Sequence, residues 1–466
     1  MEVDELSDAS TKRAVLTVAA ISSFLTPFMA SAINVALPPI QDQFRMNAVL
    51  LAWVQTSYLL STAVFVLPCG RIGDIYGRKK VYIWGLFAFT FSSVLAAVAD
   101  NASQLLFARI LQGVGSAMIF STGMAILTSV FPVTERGRAI GITVASVYIG
   151  LSTGPFIGGL LTYYFSWRGV FWIVVMMGIP STYLSVHYLK GEWVGAPGEK
   201  LDVMGSILYG VAITLIMYGF SNLRSGAGMW AILAGAGIFC AFVWWERRVP
   251  SPLFNLELFS SNRAFAFSSL AALINYSATF AISFMLSLYL QYIKGLDPTS
   301  AGLVLVAQPI TMALFSPLAG RLSDRIEPRL VASTGMLITA LGIFGMAFVT
   351  AQTSIALIVG NLLLLGFGFA LFSSPNMNAI MSSVHKRFYG VASGAVASMR
   401  MLGQMLSMGV ATLALSLYVG PVEITSAEYP AFLESLTAVF LVFAGLCILG
   451  TGASLARGRL RGSEDE

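Results

Sequence analysis

A chain of 466 residues with 57% hydrophobic and 11% charged side chains carries about half the charged fraction of a soluble domain, which excludes a water-soluble globular protein. Two histidines and three cysteines without paired spacing offer neither a metal-ligand cluster nor a disulfide framework. The net charge of +5 is a matter of membrane topology and not of nucleic-acid binding, and no cofactor or metal is expected.

Apolar runs long enough to cross a bilayer as helix fall at 14–36, 49–69, 81–99, 104–129, 138–163, 169–188, 203–222, 229–245, 264–289, 301–319, 330–350, 354–374, 389–417 and 431–456, fourteen in all. The predicted fold is an all-α polytopic membrane protein. The first run follows an acidic, polar N-terminus and has no small-residue cleavage site, so it is expected to be a retained helix and not a signal peptide. An even number of spans puts both termini on one side. Of 27 Lys and Arg, 21 lie in one set of loops and termini, and four (Arg45, Arg168, Arg224, Lys294) lie in the other. The two left over, Arg109 and Arg400, fall inside spans. Basic excess marks the cytoplasmic side, so the expectation is a multi-pass plasma-membrane protein with both termini cytoplasmic.

Between the second and third spans runs Gly70-Arg71-Ile72-Gly73-Asp74-Ile75-Tyr76-Gly77-Arg78-Lys79-Lys80. Four basic residues around a single Asp74 put this turn in water or headgroups, and Gly73 and Gly77 allow close approach and a sharp bend. The order Gly-x-x-x-Asp-x-x-Gly-Arg-Lys resembles the signature loop of the major facilitator superfamily, which implies a transporter. The resemblance implies a gating role for Gly70, Asp74, Gly77 and Arg78. Asp74 would be held against the N-terminus of a helix of the other half beginning at Tyr389 and Gly390, and Arg78 would pair with Glu135.

In the fourth span Arg109 and Gln112 lie three apart on one helix face, in a segment that resembles the superfamily's fourth-helix signature. A guanidinium inside a bilayer is costly unless it reaches water, a counter-charge or a ligand. In the fifth span Gly150, Gly154 and Gly158 share a face on which another helix can pack backbone to backbone, and Pro155 should kink the helix beside it. The pattern from Gly150 to Gly159 resembles the signature of export members, which implies efflux.

The chain also repeats itself. Gly70-Arg71-x-x-Asp74 returns as Gly320-Arg321-x-x-Asp324 at an offset of 250, and Gly113-x-Gly115 returns as Gly366-x-Gly368 at 253. At that second offset Gly141 maps to Gly394 and Gly150 to Gly403. The expected organisation is therefore a cytoplasmic N-terminus (1–13), a six-helix bundle (14–190), a linker with two inserted spans (191–261), a second six-helix bundle (262–456) and a cytoplasmic tail (457–466). Six plus two plus six resembles the fourteen-span drug/proton antiporter family. The segments Glu246-Arg247-Arg248-Val249-Pro250-x-Pro252-Leu253 and Leu288-Tyr289-Leu290-Gln291 carry the same resemblance.

In the thirteenth span Arg400 stands roughly ten residues, on the order of 15 Å, from the helix start, with Gln404 one turn beyond it. The acids, in contrast, lie at termini, loops and span edges, with Glu434 the one candidate for a membrane position. Ser31 to Pro38 resembles the family's first-helix motif, yet Met29 stands where many members carry an aspartate. Arg109, Gln112, Arg400, Gln404, Asn34, Gln55, Tyr58, Tyr276 and Gln308 are the candidate substrate-binding residues, with Asn361 a further polar group inside a span. The gating set adds Glu135, Gly150, Gly154, Pro155, Gly158, Gly320 and Asp324.

The resulting expectation is a monomeric secondary transporter that exports a small amphiphilic substrate across the lipid bilayer by alternating access, coupled to a proton or another ion. Two arginines without a mid-membrane acid favour anionic, zwitterionic or neutral amphiphiles over organic dications. An exporter or flippase of an anionic lipid is the alternative. An intramembrane enzyme would need a nucleophile–base or metal constellation that His187 and His385 alone do not form.

Overall fold

The computed structural model describes residues 9–189, 191–254, 256–384 and 389–458. Fourteen of its helices are long and apolar enough to span a membrane. In chain order they are α1 (Ala9–Phe44), α2 (Ala48–Tyr76), α3 (Arg78–Ala97), α4 (Ala102–Val130), α5 (Val133–Phe165), α6 (Arg168–Tyr188), α7 (Val203–Ser221), α8 (Ala227–Glu246), α9 (Arg263–Leu288), α10 (Pro298–Arg325), α11 (Pro328–Met346), α12 (Ile355–Ser382), α13 (Tyr389–Tyr418) and α14 (Tyr429–Ala456). α9 finishes in a π turn, Tyr289–Ile293, and α10 has two segments, Pro298–Leu305 and Ala307–Arg325.

Several helices outrun the apolar stretches that predict them, because regular backbone hydrogen bonding continues past the bilayer-length core. The largest consequence is at Gly70–Lys80. Helix α2 continues through Gly70 to Tyr76 and α3 begins at Arg78, so the expected turn contracts to the single residue Gly77. Its φ of 120° is open to glycine and strained for other residues.

The chain divides into two compact units. The first comprises residues up to Met46, Trp53–Gly219 and Ser225–Phe254, and so includes most of the inserted pair α7 and α8. The second comprises Asn47–Ala52, Phe220–Arg224 and the residues from Asn255 onward. Within the first, α1 packs on α5 and α6, and α3 on α4 and α6. Within the second, α9 packs on α13 and α14, and α11 on α12 and α14. These are the same partnerships eight helices later.

Glycine makes each crossing possible, and the repeat can be followed atom by atom. A methyl group on Gly113 would run into the carbonyl oxygen of Tyr58, and one on Gly366 into that of Gln308. On Gly115 it would lie 2.5 Å from Phe89 N and 2.9 Å from Gly85 O, and on Gly368 it would lie 2.8 Å from Thr339 N and 2.9 Å from Gly335 O. Gly150 meets Phe24 O at 2.5 Å, and Gly403 meets Leu273 O at 2.7 Å. In a membrane, where helix association depends on close packing, such contacts fix which helices become neighbours.

Candidate functional site

The face expected on α5 is a real packing surface, and its partner is α1. Hypothetical methyl groups on Gly154 and Gly158 would fall 2.7 Å from Ser31 Cβ and 2.8 Å from Ala32 O. Ser31 Oγ also donates to Leu151 O at 3.2 Å. Pro155 lies inside α5, on the turn between these contacts.

Four of the predicted polar residues come together in the core of the first unit. The Arg109 side chain is fully buried and spends its fork on three acceptors: Nε donates to Val54 O at 2.9 Å, Nη1 to Gln112 Oε1 at 2.5 Å and Nη2 to Gln55 Oε1 at 3.1 Å. The guanidinium carbon lies 4.4 Å from the centre of the Tyr58 ring. The amides pass the network outward, Gln112 Nε2 to Ser93 Oγ at 2.7 Å and Gln55 Nε2 to Ala30 O at 2.9 Å, while Tyr58 Oη bonds Ser116 Oγ at 2.9 Å. The charge is thus stabilised by dipoles and an aromatic face, and among the described residues no carboxylate is hydrogen-bonded to it. Asn34 and Met29 are buried in α1 of the same unit.

The second unit presents its polar residues differently. Arg400, Gln404, Tyr276, Gln308 and Asn361 are all partly exposed. Arg400 and Gln404 lie four apart on α13 and flank Gly403, whose hypothetical methyl group would fall 2.7 Å from Tyr276 Cβ. Tyr276 packs edge-on against Phe369 of α12, with ring centres 5.8 Å apart. This is a part-open face with a cation, an amide and a phenol, bounded by aromatic carbon.

The loop residues pair in an unexpected way. Arg78 Nε binds Asp74 Oδ1 at 2.8 Å, and its Nη1 donates to Ser129 Oγ at 3.2 Å. Glu135, the partner expected for Arg78, instead takes Lys12 at 2.9 Å. Asp74 is only four residues before Arg78, within reach of its guanidinium. Over this pair lies a strap from the segment after α6. Gly195 N and Ala196 N donate to Asp74 O at 2.9 Å, Arg78 N donates to Trp193 O at 2.9 Å, and Lys79 N donates to Glu192 Oε1 at 2.8 Å. Arg71 pairs with Glu199, which also accepts from Ser251 Oγ at 2.8 Å. The Ser251 hydroxyl and the Arg71 guanidinium hold the Glu199 carboxyl below the usual carboxylate range. Gly70 meets Ser121 of α4, and Gly320 likewise meets Ser374 of α12. In the second unit Asn378 Nδ2 reaches Ser323 Oγ at 3.1 Å and Asp324 Oδ1 at 3.4 Å. The side chains of Tyr389 and Val391, and His385, lie outside the described residues.

Sequence reasoning missed Arg457, assigned to the tail. It is buried at the end of α14 and donates to Asn376 Oδ1 at 2.9 Å, Ser454 Oγ at 2.8 Å and Ser268 Oγ at 3.2 Å. Burial pushes its guanidinium down to about 10, an effect that Glu327 opposes and Arg329 reinforces. It also missed a pair of buried acids, Asp202 and Glu246. Glu434, the acid expected in the membrane, is exposed at the start of α14. The signal for all three was position at a span end, where hydropathy alone cannot separate buried from solvated charge.

The model of the Major Facilitator Superfamily matches residues 19–243 and 268–463. The chain belongs to this superfamily. Relatives include the riboflavin transporter RibZ of Clostridioides difficile (strain 630), 32% identical over 391 residues covering 83% of this chain and 85% of the relative. The multidrug resistance protein Stp of Mycobacterium tuberculosis (strain CDC 1551 / Oshkosh) is 31% identical over 410 residues, covering 86% and 75%. The fold is shared with the crystal structure of the peptide transporter POT in complex with sulfate, at a TM-score of 0.68 and 13% identity over 93% of this chain and 94% of that one. This superfamily member is a multi-span membrane transporter of small substrates, not an enzyme.

Proposed function

We propose that this transporter exports small amphiphilic molecules by proton-coupled alternating access, with anionic, zwitterionic or neutral substrates preferred to dications. The observation that carries the reading is the part-open face of Arg400, Gln404 and Tyr276 beside Phe369, which offers a cation and hydrogen-bonding groups next to apolar surface. The closed network on Arg109 holds a second buried arginine, a fixed positive charge within the first unit that disfavours cations around it. Similarity to proteins named for multidrug resistance and riboflavin transport supports an aromatic, amphiphilic cargo. The packing of Gly150, Gly154 and Gly158 on α1 supports the outward direction implied by the export signature, and the strapped loop at Asp74 supports a gating role there. The protein acts as a monomer in the plasma membrane with both termini cytoplasmic.

The test is flux in proteoliposomes under imposed pH and voltage gradients, with anionic, cationic and lipid substrates compared in parallel. Saturable, pH-gradient-driven movement of an anionic amphiphile with counterflow is the expected result. Strong export of dications overturns the charge preference, and movement of an anionic lipid alone establishes the flippase alternative.

A further inference from the structure

A proton-coupled step needs a group that gains and loses a proton, and Met29 supplies none at the first-helix position. Two carboxyls screened from water lie instead in the inserted helix pair. Asp202, 8% exposed, caps α7: its Oδ1 accepts from Gly205 N at 2.9 Å, and Trp245 Nε1 donates to both its oxygens at 3.1 Å. Glu246, 3% exposed, ends α8, and its Oε2 accepts from Phe254 N at 3.0 Å. Its Oε1 is buried and has no hydrogen-bond donor.

The two acids converge on one point. A methyl group on Gly205 would lie 2.8 Å from Glu246 Oε1 and would collide with Asp202 Oδ2, so an oxygen of each carboxyl faces the same point on α7. Among the described residues neither forms an ion pair with a lysine or arginine. The charges nearby are otherwise engaged or solvated. Arg71 is taken by Glu199, Arg248 stacks on Trp244 at 3.9 Å, and Lys200 and Arg247 are exposed. Two like charges facing one point out of water repel each other, and a single shared proton would relieve the pair. Glu246 Oε1 is its natural seat, since both Asp202 oxygens already accept bonds.

We propose that Asp202 and Glu246 form a one-proton binding site in the inserted helix pair, and that its occupancy governs the strap over the signature loop. Glu199, three residues before Asp202, joins Arg71 of α2 to Ser251, in the segment that Glu246 anchors through Phe254 N. Loss of the proton leaves two negative charges facing one point, drives the ends of α7 and α8 apart and pulls on both sides of the Glu199 bond. The transport consequence rests on the proton-coupled reading above, whereas the proton site itself does not.

Infrared difference spectra of the purified full-length protein between acid and alkaline pH test the site. The expected result is a protonated-carboxyl stretch that titrates, is absent in Glu246→Gln and disappears at lower pH in Asp202→Asn, where the neighbouring charge is removed. Glutamine keeps the acceptor for Phe254 N and offers Asp202 an amide donor, so Glu246→Gln should fold, and Asp202→Asn provides an independent second reading. An unchanged band in both variants overturns the proposal. In proteoliposomes Glu246→Gln should retain counterflow and lose the response to a pH gradient. A variant still driven by the gradient overturns the link to gating. A wild-type protein with the titrating band and no gradient response refutes proton coupling and leaves the site standing.

Discussion

Arg109 and Arg400 are both arginines inside membrane spans, yet the two units treat them in opposite ways. In the first unit Gln55, Gln112 and the Val54 carbonyl close on Arg109 and no part of it remains open. In the second unit Arg400 lies on a part-exposed face with Gln404 and Tyr276. The difference arises although the helix partnerships repeat, because the residues that surround Arg109 are replaced in the repeat by others of different chemistry. Tyr58 maps to Gln308 and Gln112 to Leu365, so the second unit has a different set of acceptors at the equivalent crossing. A shared backbone arrangement can thus carry a rigid polar core in one half and an adaptable ligand face in the other.

Removal of Arg109 should have the largest effect. Arg109→Ala strips donors from three acceptors that water does not reach, each worth about 1–3 kcal/mol when left unpaired. Arg109→Lys retains the charge but cannot serve three directions with a compact ammonium. Both variants should lower the detergent melting temperature and the yield of monodisperse protein. If either melts like the wild type while transport is lost, the arginine is free to meet substrate and the contrast with Arg400 collapses.

Arg400→Ala sharpens the same contrast from the other side. The part-open setting predicts normal melting with a roughly tenfold loss of apparent affinity for an anionic substrate, equivalent to about 1.4 kcal/mol, and little change for a neutral one. Direct binding measured by substrate fluorescence separates these cases. Equal losses for anionic and neutral substrates would show that Arg400 shapes the fold and not the ligand face.

The halves were legible in the sequence for a physical reason: close helix crossings admit only glycine, so Gly113, Gly115 and Gly150 return as Gly366, Gly368 and Gly403 with the same neighbouring carbonyls and amides. Arg109, Gln55, Tyr58 and Gln112 of the network were legible too, since each is a polar group in an apolar run, whereas Ser93 and Ser116 were not singled out. The closure of the network was not legible, because it depends on which faces of α2, α3 and α4 turn together. The Asp202–Glu246 pair was hidden for a related reason. Each acid ends a span where a solvated charge is ordinary, and only the packing of α7 on α8 removes the water. The strap was unreadable because its bonds to Asp74 and Arg78 are made largely by backbone, which leaves no mark on residue type.

The signature loops extend the comparison and give the smallest expected effect. In the first unit Asp74 and Arg78 lie beneath the 192–196 strap, with Glu199 tying Arg71 to Ser251; in the second, Asp324 is met by Asn378 of its own bundle. The Glu199 carboxyl is held below its usual range in the folded state, so the stabilisation from its bonds is fully present above the ordinary carboxylate range and is lost only as pH falls through the lowered value. Glu199→Gln should therefore loosen the strap at neutral pH much as strong acid does in the parent, without altering the Arg109 core. The readout is the labelling rate of Ala196→Cys, a buried position within the strap, in a background with exposed Cys240 replaced by serine. Exposed ion pairs contribute little individually, so only a modest rise is expected. Labelling unaffected by Glu199→Gln would mean that the backbone bonds to Asp74 hold the strap alone.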